Sequence, residues 1–482
     1  MNPQNNPSIP RTLAQKIWDE HVVTSLDSDV ELLAIDRLLL HERTGGVALK
    51  GLREKERDVL APSTVFATMD HIVDTFPNRT DDTMMPTGKE FLQALREETE
   101  IGGITLFDMD DSRQGIVHVI SPEQGIVLPG CTLVCPDSHT CTQGAFGALA
   151  WGIGSTEAEH VLATATLRMK RPKDMRINIT GTLSEGVTAK DLALYIVSKL
   201  GSAGAKGHII EFAGEAVSGL NMEARMTLCN MATELSAFTA IVSPDDKSLT
   251  YLKDRPFSPK GEDWDRASEY WLSLKSDAEA EFDTSFQFDA SQIGPMVTWG
   301  NSPQHAISIS EEIPEFESLK LGDGRETYDR AIQYMGLTGI KKLKELSIDG
   351  AFIGSCTNSR ISDLRRAAAV LKGQTIAANV RAICVPGSTQ VKREAEAEGL
   401  DEIFRESGFE WRESGCSMCF FAGGESFGPR ERVISSTNRN FESRQGLNTR
   451  THIASPEIVA ASAIAGRIVS LEDLEEFYET SN

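Results

Sequence analysis

Three cysteines and two acid–histidine runs carry the reactive chemistry of this sequence. Gly415-Cys416-Ser417-Met418-Cys419 contains a C-x-x-C pair, a spacing shared by zinc half-sites, redox pairs, iron–sulfur ligands and ordinary thiols. Cys356 lies in Gly354-Ser355-Cys356-Thr357-Asn358-Ser359-Arg360, where a strand should hand over to a helix. Free backbone N–H groups and the helix dipole at such a turn favour a thiolate. A structural zinc site needs four protein ligands. Cys384 reads as a core position within a strand, and the histidines are not spaced as ligands near the pair. Three thiolates without a fourth suit a [4Fe–4S] cube with one iron open to substrate, since such clusters ordinarily take four cysteines. Three buried core cysteines are the plain alternative.

Asp70-His71 and Asp137-Ser138-His139 each follow an expected strand. A histidine held by a carboxylate can be tuned about neutrality and can move a proton to or from a hydroxyl. Adjacent residues on a strand point to opposite faces. Either pair therefore needs a loop to bond internally, and a satisfied turn histidine is the competing reading. Arg439, Arg444 and Arg450 gather cations in a chain of net charge −23. Guanidinium forks bind carboxylates in bidentate fashion, so this segment is either an anion pocket or a solvated basic loop.

Elements of an α/β chain must position these groups. Short apolar runs predict buried strands at Val65–Met69, Gly103–Phe107, Ile116–Ile120 and Thr132–Cys135. A helix over Ser155–Leu167, capped by Ser155 or Thr156, precedes a strand at Met175–Thr180 and a helix over Thr188–Leu200. The polar stretch Ser243–Phe288 reads as a surface connection carrying a helix near Trp264–Lys275, with a domain boundary close by. Strands at Ile348–Ile353, Val380–Val385 and Phe409–Arg412 alternate with helices over Ile361–Leu371 and Val391–Glu398. That rhythm predicts a doubly wound unit with ligands at the carboxyl ends of its strands, where Cys356, Cys416 and Cys419 fall.

Composition narrows the function further. A chain of 482 residues divides into about three domains. Its 48 basic against 71 acidic residues repel phosphate backbones and anionic membranes, arguing against nucleic acid and membrane partners. No apolar run reaches the ~18–20 residues of a spanning helix. Met1–Pro10 has neither a basic stretch nor an apolar core, so a cytoplasmic protein is expected.

The strings Gly354–Arg360, Gly415–Cys419, Thr437–Gly446, Ala67–His71 and Cys135–Thr140 resemble those of the aconitase superfamily. Their order and spacing, from about Thr12 to Glu475, are most similar to isopropylmalate dehydratase large subunits. The resemblance implies an α/β, three-domain fold of largely parallel α/β/α layers around a central cluster cleft, divided here as 1–175, 176–300 and 301–482. It implies a [4Fe–4S] cluster on Cys356, Cys416 and Cys419, and catalytic roles for Asp70, His71, Asp137, Ser138, His139, His118 and Glu234. Arg439, Arg444, Asn230 and Asn438 correspond to residues at the substrate and the cluster. The implied reaction interconverts 2- and 3-isopropylmalate by dehydration and rehydration, in leucine biosynthesis; related 2-alkylmalates are alternative dicarboxylate substrates. In such proteins a serine on a swivelling domain takes the α-proton. Nothing in the chain matches that domain, so a small swivel-domain subunit is the expected partner. An RNA-binding regulator and a structural zinc module are readings from other classes. The chain departs from the family pattern at Pro136, Cys141, Gln143, Ser443 and the run Ala422-Gly423-Gly424-Glu425.

Overall fold

The computed structural model describes residues 9–319, 324–420 and 424–474; Ala422 and Gly423 lie outside them, as does Glu475. Three parallel sheets form the frame. The first orders Thr105–Phe107, Val65–Thr68, Arg37–His41, Thr132–Cys135 and Leu149–Gly152. The second orders Thr239–Ile241, His208–Ala213, Lys173–Thr180 and Thr284–Asp289. The third orders Glu410–Trp411, Arg381–Cys384, Gly350–Ile353, Arg432–Ser435 and Arg450–Ile453. Strands such as Val65–Thr68 and Gly350–Ile353 are buried along their whole length, as expected where a parallel sheet is covered on both faces. A small three-stranded sheet and the ribbon of Met296–Thr298 with Ala306–Ser308 pair antiparallel.

Strand order explains where a cleft opens. In the first sheet, Arg37–His41 lies between Val65–Thr68 and Thr132–Cys135. In the third, Gly350–Ile353 lies between Arg381–Cys384 and Arg432–Ser435. From each central strand the chain builds outward on one side and then crosses back to the strand on the other side, and such a reversal of strand order makes a crevice at the carboxyl ends. The two crevices meet: Cys416 N–H donates to the Asp70 carbonyl at 2.7 Å, Ile116 N–H to Gly387 at 2.8 Å, and Glu413 N–H to Thr75 at 2.8 Å.

Local sequence accounts for most elements. Helix Ile361–Leu371 buries Ile361, Leu364, Ala367, Ala368 and Leu371, a single stripe at helical spacing. The Asp363 carboxylate accepts the Arg360 N–H at its entry (3.1 Å). Phe404 is wholly buried in the same cluster as this stripe, contributing ~1.5–3 kcal/mol of apolar burial.

Four expectations change. Ile116–Ile120 is not a strand; Val117–Gln124 is a helix, every residue of which is buried. A short apolar run does not reveal its period when all sides are covered, and the Asp70 carboxylate caps this helix by accepting Val117 N–H at 2.9 Å. The helix after residue 154 stops at Thr164, because Thr166–Lys170 pairs antiparallel with Val30–Ala34. Its cap is Gly154, whose N–H meets the Glu157 carboxylate at 2.7 Å; Ser155 is already helical. Within Ser243–Phe288, the strand Thr284–Asp289 joins the second sheet, parallel to Lys173–Thr180, so the stretch is more than a surface connection.

Candidate active site

The three cysteines arrive on loops that need unusual backbone. Ser355, Ser417 and Ser443 have φ of 82°, 47° and 66°, so a left-handed serine adjoins Cys356, Cys416 and Arg444 in turn. L-residues adopt this region at a cost, offset here by bonding: Ser355 Oγ meets Cys419 Sγ at 3.0 Å, and Ser443 N–H donates to Tyr334 at 2.8 Å. Gly354 must be glycine, since a Cβ there would lie 2.5 Å from the Phe352 ring.

Cys356, Cys416 and Cys419 are all buried. Asn230 and Asn438 donate to Cys356 Sγ at 3.2 and 3.5 Å, and Arg444 Nη2 lies 3.9 Å from Cys419 Sγ. Burial, with Cys419 beside it, pushes Cys356 up to about 12. Burial and Asp70 raise Cys416 well above the ordinary thiol range. A cation bound by the sulfurs would offset that burial and favour the thiolates. Sulfurs sharing one zinc at 2.3 Å would lie ~3.8 Å apart. The cysteine triad is not among the groups whose ligand atoms all fall within 4.8 Å of one another. The three sulfurs therefore do not stand preformed around a single ion. Cys384 is buried in its strand, and burial alone raises it.

The acid–histidine runs cross-pair. His71 Nδ1 bonds Asp70 at 2.7 Å, and its Nε2 reaches Asp137 at 3.2 Å. The second oxygen of Asp137 accepts from His118 Nε2 at 2.9 Å and from the His139 N–H at 2.7 Å. The His139 ring turns instead to Glu234, at 3.1 Å, and to Ser138 Oγ, at 3.2 Å. So Asp70-His71 does bond internally, in a loop, whereas Asp137 engages two distant histidine rings. Burial opposes a charge on His71, but Asp70 and Asp137 outweigh it and hold His71 well above its ordinary value. Burial likewise opposes the Asp137 carboxylate, yet His118 and His71 keep it well below the usual range. His139 moves the other way: burial and Arg439 lower it despite Glu234. His71 and His139 are thus shifted in opposite directions, the separation expected of an acid–base pair.

Helix Met222–Asn230 and the turn Met231–Leu235 bring in Asn230 and Glu234. Asn230 also accepts from Thr357 and donates to Thr142, both at 2.8 Å. Arg439 binds Glu234 through Nε (2.8 Å) and Ser138 through Nη1 (3.0 Å). Arg444 packs between the rings of Phe420 and Phe441, 4.8 and 5.0 Å away, and its buried Nε has no hydrogen-bond partner among the described residues. Arg450 leaves the group: it donates to the Tyr334 carbonyl at 3.0 Å and packs against Gly336.

Sequence reasoning missed Glu42, His41 and Lys190. The Glu42 carboxylate accepts N–H bonds from Asp70 (3.0 Å), His71 (2.7 Å), Ile72 and Val73 (3.4 Å), which fixes the loop that Asp70-His71 requires. Burial and Asp70 push Glu42 up to about 7. His41 stacks on His71, 4.0 Å between ring centres, and burial beside that cation lowers it to about 4. The signal was present: His41-Glu42 ends an apolar strand as Asp70-His71 does. Lys190 sits on the buried stripe of its helix with Ala193, Leu194 and Val197, a place where a lysine asks for explanation. Among the departures, Pro136 supplies a carbonyl to His41 (3.2 Å), Cys141 contacts Thr233 (3.0 Å), and Gln143 donates to the His118 carbonyl (3.2 Å).

Parallel sheets bring a cysteine triad, cross-paired histidines and two arginines to one cleft. A profile of the aconitase family (aconitate hydratase) matches residues 15–466. The chain belongs to that family. Among solved structures, holo aconitase X of Thermococcus kodakaraensis is similar at 12% identity and a TM-score of 0.48, over 93% of this chain and 95% of that one. Among the described residues, no helix is long and apolar enough to cross a membrane.

Proposed function

We propose that this aconitase-family hydro-lyase interconverts 2- and 3-isopropylmalate through the shared alkene, in leucine biosynthesis, with a [4Fe–4S] cluster on Cys356, Cys416 and Cys419. The observation that carries the acid–base assignment is the His71 ring held between Asp70 and Asp137. When bound, the cluster supplies a Lewis acid for the departing hydroxyl. The His71 imidazolium delivers a proton to that hydroxyl and is left neutral, and Asp70 stabilises its cation until the proton leaves. Asp137 orients His71 and His118 together. Arg444, whose Nε has no partner among the described residues, and Arg439 take the substrate carboxylates; Asn230 and Asn438 keep Cys356 in place. Ser138 and the Glu234–His139 pair border the same space.

The sequence resemblance supports the isopropyl side chain and a small swivel-domain subunit that brings the base for the α-proton. With that subunit, kcat/KM for isopropylmalate should exceed that for 2-methylmalate, 2,3-dimethylmalate and homoaconitate by at least about tenfold, the value of one or two methylenes in a fitted pocket. Equal or inverted values would reassign the substrate. The departures at Cys141 and Gln143, which flank Glu234 and His118, favour keeping those acids in the comparison.

The pH dependence follows from His71. Because the fold raises it, its cation contributes stability in full below the unfolded value of ~6.5, and loses it as pH rises through the folded value. The dehydration rate should therefore stay level across neutrality and fall only in alkali. An NMR titration of the His71 ring, assigned with a His71 variant, checks this; an ordinary midpoint near ~6.5 would refute it.

A further inference from the structure

Lys190 is fully buried in the first turn of helix Ala189–Leu200. A cation is disfavoured twice there, by desolvation and by the positive end of the helix. Its Nζ donates to Asn358 Oδ1 at 3.0 Å and to the carbonyls of Ser436 and Thr437, both at 2.7 Å. None of these acceptors carries a charge. The two acids facing it are engaged elsewhere: Asp191 with Thr188 and the Met296 N–H, Asp363 with Asn358 Nδ2 and the Arg360 N–H. The three acceptors belong to the two loops that carry Cys356 and Asn438. A neutral side chain could join those loops without the cost of a buried ammonium.

We propose that Lys190 is the counter-charge of the iron–sulfur cluster, held protonated by the cluster's own negative charge, and that its three bonds clamp the Cys356 and Asn438 loops around it. This rests on the cluster reading above. It makes Lys190 a positioning residue that tunes the cluster without touching substrate. A nearby cation stabilises the reduced, more negative cluster, so removing it shifts reduction to lower potential.

The test uses the full chain, purified anaerobically and reconstituted with iron and sulfide, as wild type, Lys190→Met and Lys190→Gln. Reduction of both variants should be about tenfold less favourable at equilibrium, ~59 mV for one electron. Their clusters should also be lost faster to a chelator, most rapidly in Lys190→Met, which makes no hydrogen bond. Folded variants, judged by circular dichroism, that fail to load a cluster also support the proposal. Loaded variants with wild-type potential and wild-type loss rate overturn it. Two unfolded variants reduce Lys190 to a folding residue and overturn it as well. A wild-type chain that takes up no cluster defeats the functional reading instead.

Discussion

His71→Asn should lower kcat for dehydration by about 10²–10⁴-fold, the usual contribution of a positioned general acid. The ring is bonded at both nitrogens, by Asp70 at 2.7 Å and Asp137 at 3.2 Å, so it is oriented before substrate arrives. These two carboxylates are also what overcome burial and keep it cationic. An asparagine can occupy the loop, because the Glu42 bonds that shape it use backbone N–H groups. The lesion should thus fall on proton delivery: kcat and kcat/KM decline together, as for an interaction made only in the transition state. The alkaline limb of the pH profile should vanish with it. A variant that raised KM alone would make His71 a binding residue. Arg444→Lys supplies the contrast, with the larger change in KM, since a point charge replaces a fork.

Replacing Cys356, Cys416 or Cys419 by Ser should bring iron from about four per chain to below about one in anaerobically purified protein. Activity should fall by ~10³-fold or more, the equivalent of several kcal/mol of lost charge stabilisation. Cys384→Ala is the informative control. Cys384 is as deeply buried, in the strand Arg381–Cys384 of the same sheet, but lies in the core. It should keep its iron and lose only stability, by ~1 kcal/mol or somewhat more for the missing sulfur. One zinc per chain and no sulfide would instead support the zinc module.

Much of the site was legible because its groups sit at the ends of apolar strands. Val65–Thr68 delivers Asp70 and His71, Thr132–Cys135 delivers Asp137 to His139, and Gly350–Ile353 delivers Cys356. Period and punctuation locate such ends. They failed at Val117–Gln124, where burial on all sides erases the helical stripe. They also failed at Thr166–Lys170, where pairing with a strand over a hundred residues earlier outweighs local helix preference.

The sequence alone determined the donor inventory: three cysteines on strand-end loops, two acid–histidine runs, and an arginine-bearing segment in an otherwise acidic chain. Those follow from residue identity and from spacing within a few turns of chain. Tertiary structure decided the partnerships. It gave Asp137 to His71 and His118 while joining His139 to Glu234. It removed Arg450 from the anion group and placed the buried side chains of Glu42 and Lys190 behind the reactive loops. Each of those contacts joins separate loops or sheets whose relative placement is set by packing over the whole molecule. Residue spacing along the chain carries no record of that placement.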